Sequence, residues 1–100
     1  MAEMIVLRFN GVTQKEYEAT NKVLGIDAYA GTGDWPDGML LHSAGTDDGG
    51  HFTVVEVWTS RDAQASFMEG RLGAALQAGG VTSVPEITWI PLISYQPLGG

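Results

Sequence analysis

At Ser60 the spacing of apolar side chains changes from the alternation of a strand to the period of a helix, with no linker between the two patterns. The stretch from His51 to Leu76 reads HFTVVEVWTSRDAQASFMEGRLGAAL. Its first part is rich in β-branched and aromatic residues. Phe52, Val54, Glu56 and Trp58 fall on one face and Thr53, Val55, Val57 and Thr59 on the other. Its second part carries apolar rows at Ala63, Phe67, Ala74 and at Met68, Leu72, Ala75, Leu76, which need a sheet to cover. A strand joined so tightly to a helix must lay that helix back on its own sheet. The face holding Glu56 and Trp58 is mixed in character, so it can cover a core and line a pocket at once.

The rest of the chain supplies partners for this unit. Met4–Phe9 is a short strand broken in character only by Arg8, and Asn10-Gly11 ends it with turn chemistry. Thr13 opens a helix through the reciprocal T-x-x-E capping box with Glu16, and Gly25 stops it. Tyr17, Ala19, Thr20, Val23 and Leu24 form its apolar stripe. Residues 26–37 make a long loop, a feature associated with function or mobility, and it carries Tyr29 and Trp35. These two aromatics either close over a cavity or pin the loop to the sheet edge. Gly38–Gly45 reads as a strand, with Leu40, His42 and Ala44 on one face and Met39, Leu41 and Ser43 on the other, and TDDGG turns it back antiparallel onto the His51 strand. Gly70 and Gly73 inside the second helix each cost about 1 kcal/mol relative to alanine, which points to a close backbone approach or a looser helix there. The last strand, Glu86–Ser94, holds Pro91 and belongs at a sheet edge; SYQPLGG follows as a tail.

The order is β-α-β-β-α-β, an α+β, ferredoxin-like pattern that places both helices on one face of a four-stranded antiparallel sheet. One hundred residues read as a single domain, 1–100. A lone chain of this size buries only about 60–65% of its unfolded surface. Trp58, and with it Trp89, is expected on the helix-free side of the sheet, too apolar a patch for a monomer, so a homodimer with facing sheets and cavities between them is expected. Five Lys and Arg against twelve Asp and Glu, a net charge of −7, exclude a phosphate-backbone partner, and nucleic acid with it. No apolar run approaches the roughly 18 residues of a membrane span and no leader pattern opens the chain, so a cytoplasmic protein is expected. The absence of cysteine removes disulfides and thiolate chemistry. Gly31-Thr32-Gly33 lacks the surroundings of a phosphate loop. Asp47, Asp48 and His51 share a solvated turn without a second ligand cluster, so no metal is expected.

The run VVEVWTSRDAQASF, coming after GMLLHSAG and a hairpin, resembles the dimeric α/β-barrel proteins of the antibiotic biosynthesis monooxygenase superfamily, whose signature is an apolar strand ending in E-x-W, then Ser, then a helix. The likeness in element order spans nearly the whole chain; the motif itself is short. What it implies is a fold of that type and an activity among cofactor-independent oxygenases of aromatic polyketides, haem-degrading enzymes and small-molecule isomerases or decarboxylases. Trp58 matches the strand-end tryptophan that lines the cavity of oxygenase members. The haem-degrading branch has a histidine on the second helix and an asparagine within the first strand. Here GRLGAALQ has no histidine and the first strand no asparagine, so no haem or other cofactor is expected.

Oxygenation without a cofactor needs a substrate that forms a stabilised carbanion, a base to take its proton and donors to hold the developing enolate. His42 is a candidate base, Glu56 an alternative one, and Trp58 a donor; all three are assigned catalytic roles. Arg8 is a further donor, and Arg8, Tyr29, Trp35 and Trp89 are assigned to substrate binding. Each has a plainer reading. His42 is a packed strand histidine, Glu56 pairs with Arg8 across neighbouring strands, and Trp58 and Trp89 fill a dimer interface. Whether His42 and Glu56 share a face depends on strand register. The alternative to an enzyme is a non-catalytic barrel that binds a small molecule or holds an assembly together.

Overall fold

The computed structural model describes residues 2–99 and bears out the expected architecture. β1 (Glu3–Phe9), β4 (Met39–Thr46), β5 (Phe52–Trp58) and β6 (Glu86–Pro91) form one antiparallel sheet in the order β4-β5-β1-β6. The two edge strands are the ones the sequence makes least apolar. Pro91 stands at the last position of β6, opposite Glu3, where a missing N–H costs least. The helices α1 (Gln14–Leu24), α2 (Arg61–Phe67) and α3 (Gly73–Ala78) follow the expected order.

The second helix is one expected element in three pieces. Between α2 and α3, residues Met68–Leu72 form a π-helical turn that contains Gly70 and ends against Gly73. The two costly glycines therefore mark a real loosening of the helix. Gly79 then seats α3 on α1, because a Cβ there would overlap the Thr20 hydroxyl and backbone. At the end of α1, Gly25 adopts φ 76° and donates its N–H to Asn21 and Lys22 carbonyls, the left-handed cap that glycine takes without strain. Thr13 caps the start differently from the expected box. Its oxygen accepts from the Lys15 N–H and its hydroxyl donates to Glu16 Oε2. That bond is the first reason that the Glu16 carboxyl is held below its ordinary value.

Ile5, Leu7 and Phe9 from β1 and Phe52, Val54 and Trp58 from β5 all face the helices and form the core with Leu24, Phe67 and Ala75. Burying an apolar side chain of this size stabilises the fold by about 1.5–3 kcal/mol. Ile5 and Trp58 are 0% exposed. This corrects the expected placement of the tryptophans. Trp58 and Trp89 both lie on the helix-covered side: Trp89 is the register partner of Ile5, packs against the core, and carries the Arg61 guanidinium over its ring. The reason is alternation, which commits Trp58 to the face of Phe52 and Val54, the more apolar of the two.

Three further differences bear on the site. A bulge between Met39 and Leu41 turns Met39 onto the His42 face and leaves Leu40 and Leu41 exposed. The 26–37 loop folds on itself through a short ladder of β2 (Ile26–Asp27) with β3 (Thr32–Gly33). Finally, the residues after β6, described through Gly99, are tied back to the sheet beside β1 and at β4. Leu92 donates its N–H to Ala2, and the Tyr95 hydroxyl donates to the Leu40 carbonyl. Val57, on the helix-free face, is 2% exposed.

Candidate functional site

Register decides the site. His42 and Glu56 are direct cross-strand partners of β4 and β5, so they share the helix-covered face with Trp58 two residues on. The Trp58 Nε1–H donates to Glu56 Oε1 at 3.1 Å. Glu56 Oε2 lies 2.8 Å from His42 Nδ1, and His42 Nε2 lies 2.5 Å from the Tyr17 hydroxyl of α1. Indole nitrogen is only a donor and carboxylate only an acceptor, so the chain has one consistent polarity for a neutral imidazole. Trp58 and His42 Nδ1–H both donate to Glu56, and Tyr17 donates to the His42 Nε2 lone pair.

The setting makes these bonds matter. The Glu56 and His42 side chains are 5% and 14% exposed. A carboxylate in such a place is tolerated only with its oxygens satisfied, and here each has a donor. The ring of His42 lies nearly parallel to that of Tyr17 and meets it edge to edge through the hydroxyl, with centroids 5.9 Å apart and 3° between the planes, and the Trp35 ring lies at 5.4 Å. Burial is the first reason that the Tyr17 phenol is held above its ordinary value; Asn21 opposes the shift and the Glu56 charge adds to it. Tyr17 therefore keeps its proton near neutral pH.

Two spaces meet at this histidine. The inner one, about 60 Å³, lies between sheet and helices and is walled by Leu7, Leu24, Phe52, Val54, Phe67 and Leu76, with Tyr17, His42 and Glu56 along one side. The outer one, about 290 Å³, opens to solvent beside Leu40, Leu41 and Gly31. Trp35, Met39 and His42 line both. This cavity lies within a single chain, on the helix side of the sheet.

Of the residues expected at a site, His42, Glu56, Trp58 and Trp35 are brought together. Arg8 is not. It points from the helix-free face of β1, where its register partner is Thr53, and binds His51 Nδ1 at 2.9 Å and Asp47 at 3.2 Å. Its expected pairing with Glu56 fails because the two occupy opposite faces. Tyr29 is also elsewhere: it is 69% exposed, with its hydroxyl bonded to Gln14 and Glu18 on α1. Trp89 lines neither space, and neither does Trp58, which reaches the site only through its bond to Glu56 because its indole is packed in the core. Within the loop, then, Trp35 meets the site and Tyr29 pins the loop to α1.

Two contributors went unread. Tyr17 looked like one more member of an apolar stripe, yet a buried tyrosine hydroxyl must find a partner, and that requirement was the available signal. Arg71, in the π-helical turn, donates to the carbonyls of Leu24 and Asp34 and pairs with the Asp34 carboxylate at 3.2 Å. It holds the loop that carries Trp35.

No family model matches this chain, and no curated protein is similar to it. Solved structures do match over almost its full length. A protein of unknown function from Nitrosomonas europaea has 17% identity and a TM-score of 0.66, covering 99% of this chain and 96% of that one. A candidate antibiotic biosynthesis monooxygenase from Chloroflexus aurantiacus J-10-fl has 12% identity and a TM-score of 0.65, covering 99% and 100%. Another from Deinococcus radiodurans has 19% identity and a TM-score of 0.59, covering all of both chains. At these identities the likeness establishes the ferredoxin-like fold. Activity has to be argued from the side chains.

Proposed function

We propose that the chain is a cofactor-independent monooxygenase of small aromatic or otherwise enolisable metabolites, acting as a homodimer. The observation that carries this reading is the buried Tyr17–His42–Glu56–Trp58 chain, whose histidine borders both spaces. Glu56 fixes the His42 tautomer with its lone pair on Nε2, where Tyr17 donates, and Trp58 fixes Glu56. His42 is the base, Glu56 and Trp58 position it, and Trp35 walls the substrate.

The chemistry follows from that arrangement. His42 Nε2 takes a proton from a CH₂ group next to a carbonyl. Tyr17, displaced from that lone pair, turns its hydroxyl to the developing enolate oxygen. The carbanion passes one electron to dioxygen, and the two radicals combine to form a C–O bond. The peroxide takes the proton back from the His42 imidazolium. Loss of the remaining C–H proton and cleavage of O–O release water, so CH₂ and O₂ become C=O and H₂O. The dimer is supported by the helix-free face, where Leu41 and Ile90 remain 40% and 43% exposed beside Met4, Val6 and Val55.

The test is oxygen uptake with a panel of anthrone-like and β-dicarbonyl compounds. Uptake with formation of the ketone is expected, abolished in His42→Ala at unchanged melting temperature. Binding of the same compounds with no oxygen consumption overturns the assignment in favour of a non-catalytic binder.

A further inference from the structure

We propose that the site at His42 excludes anionic substrates: its occupant is a ketone, amide or phenol free of carboxylate and phosphate, and so not one carried on coenzyme A or a nucleotide. This rests on the substrate site argued above and adds the charge that its occupant must have.

A substrate has to meet the histidine from within. His42 borders both spaces, but its ring nitrogens are bonded to Tyr17 and Glu56, which line the inner space alone. The inner space, about 60 Å³, is smaller than the roughly 150 Å³ of a dry cavity that admits benzene. A ring that reaches those nitrogens therefore also takes room past Trp35 and Met39, which border the outer space of about 290 Å³. The charges lining both spaces decide what can enter.

Those charges are of one sign. No lysine or arginine lines either space, and Glu56 is the one carboxylate that does. The five cationic side chains of the chain are engaged elsewhere. Lys15 and Lys22 are exposed on α1. Arg8 serves the hairpin from the opposite face of the sheet, and Arg61 is paired with Glu3. Arg71 lies over the ring of Phe67, itself part of the inner wall, but it gives its Nη2 to the Leu24 and Asp34 carbonyls and to the Asp34 carboxylate. What the inner wall offers beside His42 is neutral: the Tyr17 hydroxyl, Asn21, and the Thr20 hydroxyl, which is buried without a partner.

Proton transfer leaves this balance unchanged. When His42 takes a proton from carbon, enolate and imidazolium appear together, and the site keeps the single negative charge of Glu56. A substrate with a carboxylate of its own brings a second. Two like charges about 8 Å apart, at an effective dielectric of about 20, disfavour each other roughly thirtyfold in binding. Burying a carboxylate against apolar walls with no cation to meet it adds to that. The net charge of −7 also repels anions, but that repulsion acts through water and is screened by salt, whereas the buried Glu56 charge is screened much less.

The test compares probes alike in shape and unlike in charge: 2-naphthamide with 2-naphthoate, and benzamide with benzoate. Near neutral pH the amides are expected to bind and to shift the Trp58 indole N–H and the His42 ring signals. The carboxylates are expected to bind roughly ten- to a hundredfold more weakly. That gap should persist at about 1 M salt, where screening leaves only about 3 Å of reach. Glu56→Gln should narrow it severalfold; if that variant does not fold, Leu40→Lys, at an exposed position on the outer space, should narrow it by supplying a cation. Carboxylates bound as well as amides, a gap that closes in salt or stays unchanged in the folded variant, or no binding by any of the four probes overturns the exclusion. A carboxylate held tightly and released in Arg71→Ala also overturns it, by making Arg71 the counter-ion. Charge-selective binding with no oxygen consumed by any enolisable compound leaves the exclusion standing and removes the oxygenase reading.

Discussion

This small chain contains two histidine–carboxylate pairs, and they are built for opposite purposes. His42–Glu56 lies under the helices, with Tyr17 and Trp58 completing its bonds. His51–Asp47 lies at the hairpin, half-exposed, with Arg8 hydrogen-bonded to His51 and ion-paired with Asp47. In the first, the carboxylate faces His42 Nδ1 and leaves Nε2 toward the cavity. In the second, Arg8 donates to His51 Nδ1, while Asp47 spends an oxygen on the His51 backbone N–H. The same residue types build a buried hydrogen-bonded chain in one place and close a turn in the other. What separates them is the environment each carboxylate sits in.

The sharpest way to break that contrast is to remove the carboxylates. Glu56→Ala leaves the Trp58 and His42 Nδ1 donors buried without an acceptor, and opening one member of a buried pair typically costs about 3–5 kcal/mol. Urea unfolding should show that loss, together with loss of oxygen uptake. Asp47→Ala, at an exposed turn, should remain within the scatter of ordinary surface substitutions. Equal effects at the two sites would mean that burial does not distinguish them.

Trp58→Phe is expected next in size. It keeps an aromatic ring in a fully buried site but deletes the donor to Glu56 Oε1 and leaves a gap, for a cost of about 2–3 kcal/mol. If Trp58 only fills space, turnover falls in step with stability. If it positions Glu56, any turnover per folded molecule falls further, and the Glu56→Gln exchange in the same background adds little more.

The backbone order was legible because each of its signals is local: alternation in β5, Gly25 after α1, and turn chemistry after β1 and β4. The face of Glu56 was legible for the same reason. What joins it to His42 was not, because the partnership rests on register across a hairpin whose five-residue turn admits more than one alignment, and on a bulge at Leu40 that no residue type announces. Trp58 was assigned to the wrong side of the sheet through attention to its polar edge, when the indole satisfies that edge on Glu56 inside the core. Tyr17 was hidden by the opposite bias, its ring counting as core and its hydroxyl going unread.

Tautomers sharpen the comparison with a smaller effect. His42 should carry its proton on Nδ1, facing Glu56, whereas His51 should carry it on Nε2, because Arg8 occupies its Nδ1. Long-range nitrogen–proton correlation spectra separate the two forms. Tyr17→Phe, at about 1 kcal/mol for one hydrogen bond, should shift only the His42 signals. The same tautomer at both histidines would remove the geometric basis for calling His42 the base.

The smallest effect is a pH dependence at the hairpin. Asp47 is held below its ordinary value first by the His51 backbone N–H, with Arg8 and His51 adding to it. A carboxyl depressed by folding contributes stability that is present above the unfolded value, about pH 4, and is lost as pH falls through the folded one. Exchange of the His51 amide, measured relative to the amides of β1, should therefore accelerate only below about pH 4, and Asp47→Asn should flatten that rise. Such a rise appearing instead between pH 5 and 7 would assign the turn's stability to His51 rather than Asp47, and would make the hairpin, not the cavity, the place where histidine titration controls this fold.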